Sequence, residues 1–200
     1  MRKAIALVLC ALFLAVIFSD YSVAFDARTL KGQELYARSN LKAKGSIVYF
    51  HNMSALKTTI PYGTAVAITG ATKRRIRFYT IESGKKYTLL EDSALYGKYF
   101  VKKLNDIGID GINAKTKEDI ENMKAVPGMT KKEVFVSKGC PAYIAFGEKS
   151  SKKTFDQIME SDSWYYNTNS RGREVIVNFK DSRVSDIIGK NRGQDKKRKK

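Results

Sequence analysis

The sequence predicts an α+β fold in two parts, a small β-barrel followed by a module of two helices and antiparallel strands. Three observations carry this. Residues 33–92 show apolar and polar positions in alternation, rich in β-branched and aromatic side chains. Two helix-start signals follow one another between residues 112 and 133, and strand-like runs resume after Pro141. The chain has 200 residues, enough for one large or two small domains. A hydrophobic content of 43% argues against wholesale disorder, and a net charge of +17 points to anionic partners.

The amino terminus carries the layout of a secretory signal peptide, residues 1–24. Met1-Arg2-Lys3 is cationic, Ala4–Phe18 is uninterruptedly apolar, and Ser22-Val23-Ala24 places small residues before a cleavage point between Ala24 and Phe25. The apolar run is 15 residues, shorter than the roughly 20 of a spanning helix. Cys10 follows Leu9, which is not small, so lipidation is not expected. Removing the signal leaves Cys140 as the one cysteine, which excludes an internal disulfide. Its expected state is a buried small side chain in the turn Gly139-Cys140-Pro141. The expected location is exported, in the periplasm or associated with an outer membrane.

Taken in order, Phe25–Leu30 reads as a frayed lead-in. Within 33–92, Ile47–Phe50, Thr64–Thr69, Ile76–Ile81 and Lys86–Leu90 read as strands, with a hairpin turn at Glu82-Ser83-Gly84-Lys85 and a connection through Gly70–Arg75. About five short strands in some sixty residues favour a barrel, because an open sheet of that size leaves its edges unprotected. Residues 93–111, punctuated by Gly97, Gly108 and Gly111, read as a linker. The second module spans 112–188. Thr116 is expected to cap a first helix with Glu118 and Asp119 in its first turn, and Pro127-Gly128 to stop it. Thr130-Lys131-Lys132-Glu133 is a capping box for a second helix that carries Val134, Phe135 and Val136 and ends at Gly139. Strands are expected over Ala142–Phe146, Trp164–Asn167, Arg173–Phe179 and Arg183–Ile187, with Gly147–Asp162 a long loop holding one helical turn. Residues 189–200 hold seven Lys or Arg against one Asp, a net +6, and read as a basic disordered tail.

The motif Gly128-Met129-Thr130-x-x-Glu133-Val134, then Gly139-x-Pro141, then a strand with Trp164-x-Tyr166 and a Val-rich hairpin, is similar to the SmpA/OmlA-type envelope module. That family includes the lipoprotein subunit of the outer-membrane β-barrel assembly machinery. The resemblance covers about residues 112–188 and implies two helices packed on a three-stranded antiparallel sheet, a fold shared with β-lactamase-inhibitor proteins. The motif residues carry fold-specifying roles: Met129 as a hydrophobic staple, Thr130 and Glu133 as reciprocal caps, Gly139 as a helix end. Unlike the family's lipoproteins, this chain lacks a cysteine suited to lipidation. The first half resembles a bacterial SH3-like barrel in its strand rhythm.

Catalytic chemistry is poorly represented. His51 is the single imidazole, so a nucleophile–imidazole dyad is disfavoured; it reads as an exposed or hydrogen-bonded turn residue. Glu91-Asp92 and Asp156/Glu160 are carboxylate pairs without a distinguishing context, and the glycines are too scattered for a phosphate-cradling loop. No enzyme, metal, cofactor or small-molecule substrate is expected. The basic clusters Lys73, Arg74, Arg75 and Arg77, and Lys196, Lys197, Arg198, Lys199 and Lys200, are the candidate contacts to an anionic ligand. The expected function is a non-enzymatic exported envelope binder, whose partner is an envelope protein or an anionic envelope polymer or lipid, with a role in outer-membrane assembly or integrity. A secreted inhibitor or accessory protein of an envelope hydrolase is the alternative. An exported nucleic-acid binder ranks below both, because a secreted protein meets little nucleic acid.

Overall fold

The computed structural model describes residues 26–167 and 173–191, which form an α+β architecture built on two sheets. The first comprises β1 (Glu34–Ala37), β2 (Leu41–Lys44), β3 (Ile47–Tyr49), β4 (Thr58–Ile60), β5 (Ala65–Thr72), β6 (Arg75–Thr80), β7 (Lys86–Leu90) and β8 (Phe100–Val101). Its eight strands curl in the order β4-β2-β3-β7-β6-β5-β1-β8, antiparallel except for the β3–β7 pair. Alternation decides the inner face on β6 and β7, where Ile76, Phe78, Tyr87 and Leu89 are buried between exposed or half-buried neighbours; Val48 joins them from β3, and on β5 Val66 and Ile68 are buried together with Ala67 between them. The β5–β6 hairpin is longer than the connection expected through Gly70–Arg75. After a bulge between Ile68 and Gly70, Gly70, Ala71 and Thr72 pair with Arg77, Ile76 and Arg75, leaving Lys73-Arg74 as the tip.

Two segments expected to be loose belong to this layer. Ala27–Leu30 forms a 3-10 turn in which the Asp26 carboxylate accepts from the Arg28 amide, and Leu30 is buried in the core. Residues 93–111, expected as a linker, contain β8, which pairs with β1 through Tyr36↔Val101 and Ala37↔Phe100. Tyr99, Phe100 and Val101 are a consecutive buried run, so this stretch is held by its side chains as much as by its ladder.

The second part contains α1 (Ala114–Glu121), α2 (Lys131–Lys138), β9 (Tyr143–Ile144), β10 (Glu148–Lys149), α3 (Phe155–Glu160), β11 (Ser163–Asn167), β12 (Arg173–Lys180) and β13 (Arg183–Asn191). Its sheet runs β10-β9-β11-β12-β13, antiparallel throughout. The cap of α1 is Asn113, not Thr116: the Asn113 side chain accepts from the Thr116 amide at 2.8 Å, so the helix begins three residues earlier. The run Ala142–Phe146 is a strand only at Tyr143–Ile144, because Ala145–Gly147 turns into a 3-10 helix. The loop 147–162 carries the six-residue α3, capped by Thr154 and Gln157. β13 extends to Asn191, so Gly189–Asn191 are strand and not tail; backbone pairing with Arg173–Val175 needs no apolar side chains.

The two parts share one hydrophobic core, from Leu30 through Val184. In the second part Phe135, Phe155, Trp164 and Phe179 pack edge to face, with centroids 4.6–6.1 Å apart. Between the parts runs a buried polar seam. The Asn40 side-chain amide donates to the carbonyls of Ile120 (2.8 Å) and Ser137 (3.2 Å), and the Asn52 amide to those of Asn40 and Lys138. The Tyr99 hydroxyl lies 2.8 Å from both Glu91 Oε2 and the Phe50 carbonyl, with one proton to share between them, and the Lys98 ammonium donates to Glu91 Oε2 (2.9 Å) and the Ser150 carbonyl (3.0 Å). The side chains of Asn40, Asn52 and Lys98 thus satisfy carbonyls of the second part across this seam, as burial demands.

Candidate anionic-ligand face

The outer face of the first sheet and its hairpin tip collect four cations that are close in sequence. On β6, Arg75 and Arg77 point outward between buried Ile76 and Phe78, and Lys73-Arg74 extend beyond them at the hairpin tip. None of these four makes an ion pair among the described residues. Register adds neighbours that sequence reading did not assign to the site. Arg77 lies opposite Thr88, and Tyr79 opposite Lys86; Thr88 and Leu90 in turn lie opposite Ile47 and Tyr49. Lys86 and Leu90 are exposed, Tyr49 and Tyr79 half-buried. The period-two rhythm of Lys86-Tyr87-Thr88-Leu89-Leu90 was the signal that could have placed Lys86 with the arginines.

Beside the tip lies a groove of about 690 Å³, lined by Lys73, Arg74, Leu90, Asp92, Leu95 and Lys152. Leu90 is 42% exposed there. The groove joins the hairpin tip to the second part of the fold through Lys152. Chemically the face offers guanidinium and ammonium donors flanked by aromatic and aliphatic surface, which suits an extended anionic ligand rather than a reacting centre.

The motif residues of the second part sit elsewhere and are structural. Thr130 and Glu133 cap α2 reciprocally: the Glu133 amide donates to Thr130 Oγ1 at 3.2 Å, the Thr130 amide to Glu133 Oε2 at 2.6 Å. Met129, Val134 and Pro141 are buried, and Gly128 adopts φ +89° before the cap. Gly139 has φ +73°, ψ −165°, a region open to glycine, and a Cβ there would collide with the Asn52 amide. Trp164 is fully buried and donates its indole N–H to the Ile158 carbonyl at 3.0 Å; Tyr166 donates to the Gly139 carbonyl at 3.1 Å. Ala24 and Phe25, and Lys196, Lys197, Arg198, Lys199 and Lys200, lie outside the described residues.

The candidate chemical groups are dispersed. His51 is half-buried against Phe50, which holds its pKa below the ordinary value. Its Nδ1 has no hydrogen-bond partner among the described residues, so it is neither of the states expected. Cys140 is buried and its thiol pKa is raised by burial, the opposite of an activated nucleophile. Glu91 is held by Lys98 and Tyr99, Asp92 caps the turn at Ser93–Lys98, and Asp156 lies in the first turn of α3. Among the described residues no group of three His, Cys, Asp or Glu could hold a metal ion, and no helix is long and apolar enough to cross a membrane. The chain matches no family model, no curated protein and no solved structure.

Proposed function

We propose that the chain is an exported, non-enzymatic binding protein of the cell envelope that takes an anionic envelope polymer or lipid on the outer face of its first sheet. The observation that carries the reading is the set Lys73, Arg74, Arg75 and Arg77, exposed on one hairpin without an ion-pair partner among the described residues and adjoining a groove whose lining includes exposed Leu90 as well as Glu91 and Asp92. Solvated charge alone needs neither the adjoining groove nor the flanking Tyr79 and Lys86. Each cation near an anionic surface contributes at most about 1 kcal/mol, so several must act together, and the hairpin supplies several on one side.

Export is supported by the cationic start, the apolar run and the Ser22-Val23-Ala24 site. We read the first sheet as SH3-like and the second part as SmpA/OmlA-like, with support from the two successive helices α1 and α2, from the consecutive antiparallel strands β11, β12 and β13 that follow them after β9, β10 and α3, and from the Thr130–Glu133 box. A role in outer-membrane assembly or integrity rests on that resemblance, and folds host many functions.

Capture of the tagged chain from solubilised envelopes tests the reading, with intact-mass analysis of the mature form alongside. Expected are loss of residues 1–24 and co-purification of anionic lipid, polymer or barrel-assembly partners. Capture of a single hydrolase would favour the inhibitor alternative, and a retained Met1 or an acyl group on Cys10 would overturn the assignment to a cleaved, unlipidated envelope protein.

A further inference from the structure

A second basic constellation lies on the seam, away from the sheet face. A cavity of about 400 Å³ opens between the β2–β4 edge of the first sheet and the ends of α1 and α2. Lys42 reaches it from β2, and Lys138 from the last residue of α2. The scaffold fixes both. Lys42 lies opposite Thr59 in the β2–β4 register, and its ammonium donates to Thr59 Oγ1 at 3.0 Å. Buried Asn52 accepts from the Lys42 amide at 2.8 Å and donates to the Lys138 carbonyl at 2.7 Å, tying the two backbones together. The Lys138 ammonium stands 5.5 Å from the centre of the buried Tyr166 ring.

Neither lysine makes an ion pair among the described residues, although other buried or half-buried lysines do: Lys98 with Glu91, Lys131 with Asp162 and Lys153 with Glu148. Burial first, and then the charge of Lys42, lower the pKa of Lys138; burial also lowers that of Lys42. Two like charges are thus held in one partly desolvated cavity, an arrangement that an incoming anion relieves. Asn122 and Ser54 add polar groups to the wall, and Glu121 adds a carboxylate that accepts from hydroxyls and discourages a ligand charged all round.

We propose that this cavity binds a small oxyanion, a phosphate monoester or carboxylate carried on a hydroxyl-rich body, held between the ammonium groups of Lys42 and Lys138. Lysine ammonium is a compact point charge suited to monodentate phosphate or carboxylate oxygens. The volume lies within the roughly 300–1,000 Å³ of small-ligand sites and suits a ligand of monosaccharide size. Thr59, Ser54, Asn122 and Glu121 are positioned on the wall to meet the ring hydroxyls. The site does not rest on the sheet-face reading, since it shares no residue with it.

Calorimetric titration of the purified full chain with glucose 6-phosphate, glucuronate and glucose tests the site. Glucose 6-phosphate or glucuronate is expected to bind, and uncharged glucose is not. Lys42→Met and Lys138→Met are each expected to weaken binding at least tenfold, while Lys42→Arg and Lys138→Arg, which keep the charge, retain most of it. Arg75→Ser/Arg77→Ser is expected to leave it unchanged. Because the methionine variants remove repulsion, their thermal midpoints are expected to equal or exceed the parent's, which separates lost binding from lost folding. Competition by native but not dephosphorylated lipopolysaccharide would place the group at the end of an envelope polymer, and absence of competition would indicate a free sugar acid. Failure of both charged sugars to bind the parent chain, or equal binding by the Lys42→Met/Lys138→Met double variant, would overturn the proposal.

Discussion

Lys98 and Arg77 are cations of the same half of the chain in opposite surroundings. Lys98 is 0% exposed and its ammonium is satisfied by Glu91 and the Ser150 carbonyl, while Tyr99 satisfies the same carboxylate oxygen of Glu91. Arg77 projects from the sheet exposed and makes no ion pair among the described residues. The first arrangement joins the two parts of the fold and leaves nothing for a ligand. The second leaves its charge in solvent, outside any ion pair among the described residues. Buried and paired charge is used here to hold the fold, and the exposed unpaired charge of the hairpin is what the proposed binding face rests on.

The largest expected effect comes from breaking the buried set. Lys98→Met leaves Glu91 buried without its cation, and removal of one partner of a buried pair costs about 3–5 kcal/mol. Denaturant unfolding measures it, and the double change Lys98→Met/Glu91→Leu is expected to recover most of the loss. A loss below about 1 kcal/mol for the single change would contradict the structural role. Trp164→Ala is expected to cost a similar amount, about 3–5 kcal/mol, through a cavity among Phe135, Phe179 and Ile158. Gly139→Ala strains the backbone by about 1–3 kcal/mol and displaces Asn52, so it is expected to perturb both the seam and the Lys42–Lys138 cavity. Thermal unfolding together with the glucose 6-phosphate titration separates the two effects. Thr130→Ala removes one cap hydrogen bond and is expected to cost about 1 kcal/mol by denaturant unfolding, with no effect on binding at either proposed site.

The parts of this fold that were legible in the sequence are those written in adjacent residues. Thr130 and Glu133 form a box within one turn, and Ile76 to Thr80 alternate within one strand. The misplacements arise where pairing is distant. β8 is two residues long and exists because Tyr36 and Ala37 lie opposite it; nothing in Phe100-Val101 alone distinguishes a strand from an apolar loop. The α1 cap differs for a local reason: Asn113 and Thr116 are both good capping residues one turn apart, and Asn113 occupies the position whose side chain reaches the free amide. The hairpin arginines were visible as a cluster, whereas Lys86 joined them through the β6–β7 register. Lys42 and Lys138 meet through the packing of α2 against β2, which no local pattern records.

The sheet-face reading is tested most directly by co-sedimentation of the full chain and Arg75→Ser/Arg77→Ser with lipopolysaccharide at low and high salt. These exposed substitutions are expected to change stability by no more than about 0.5 kcal/mol, so any loss of binding reports the face itself. Screening acts over roughly 8 Å at physiological ionic strength, so binding through such cations weakens steeply as salt rises. The expected result is salt-sensitive sedimentation of the parent chain and a clear reduction for the variant at low salt, with the thermal midpoint unchanged. Equal sedimentation of both proteins, or binding indifferent to salt, would contradict the assignment of the hairpin face as the anionic-ligand surface.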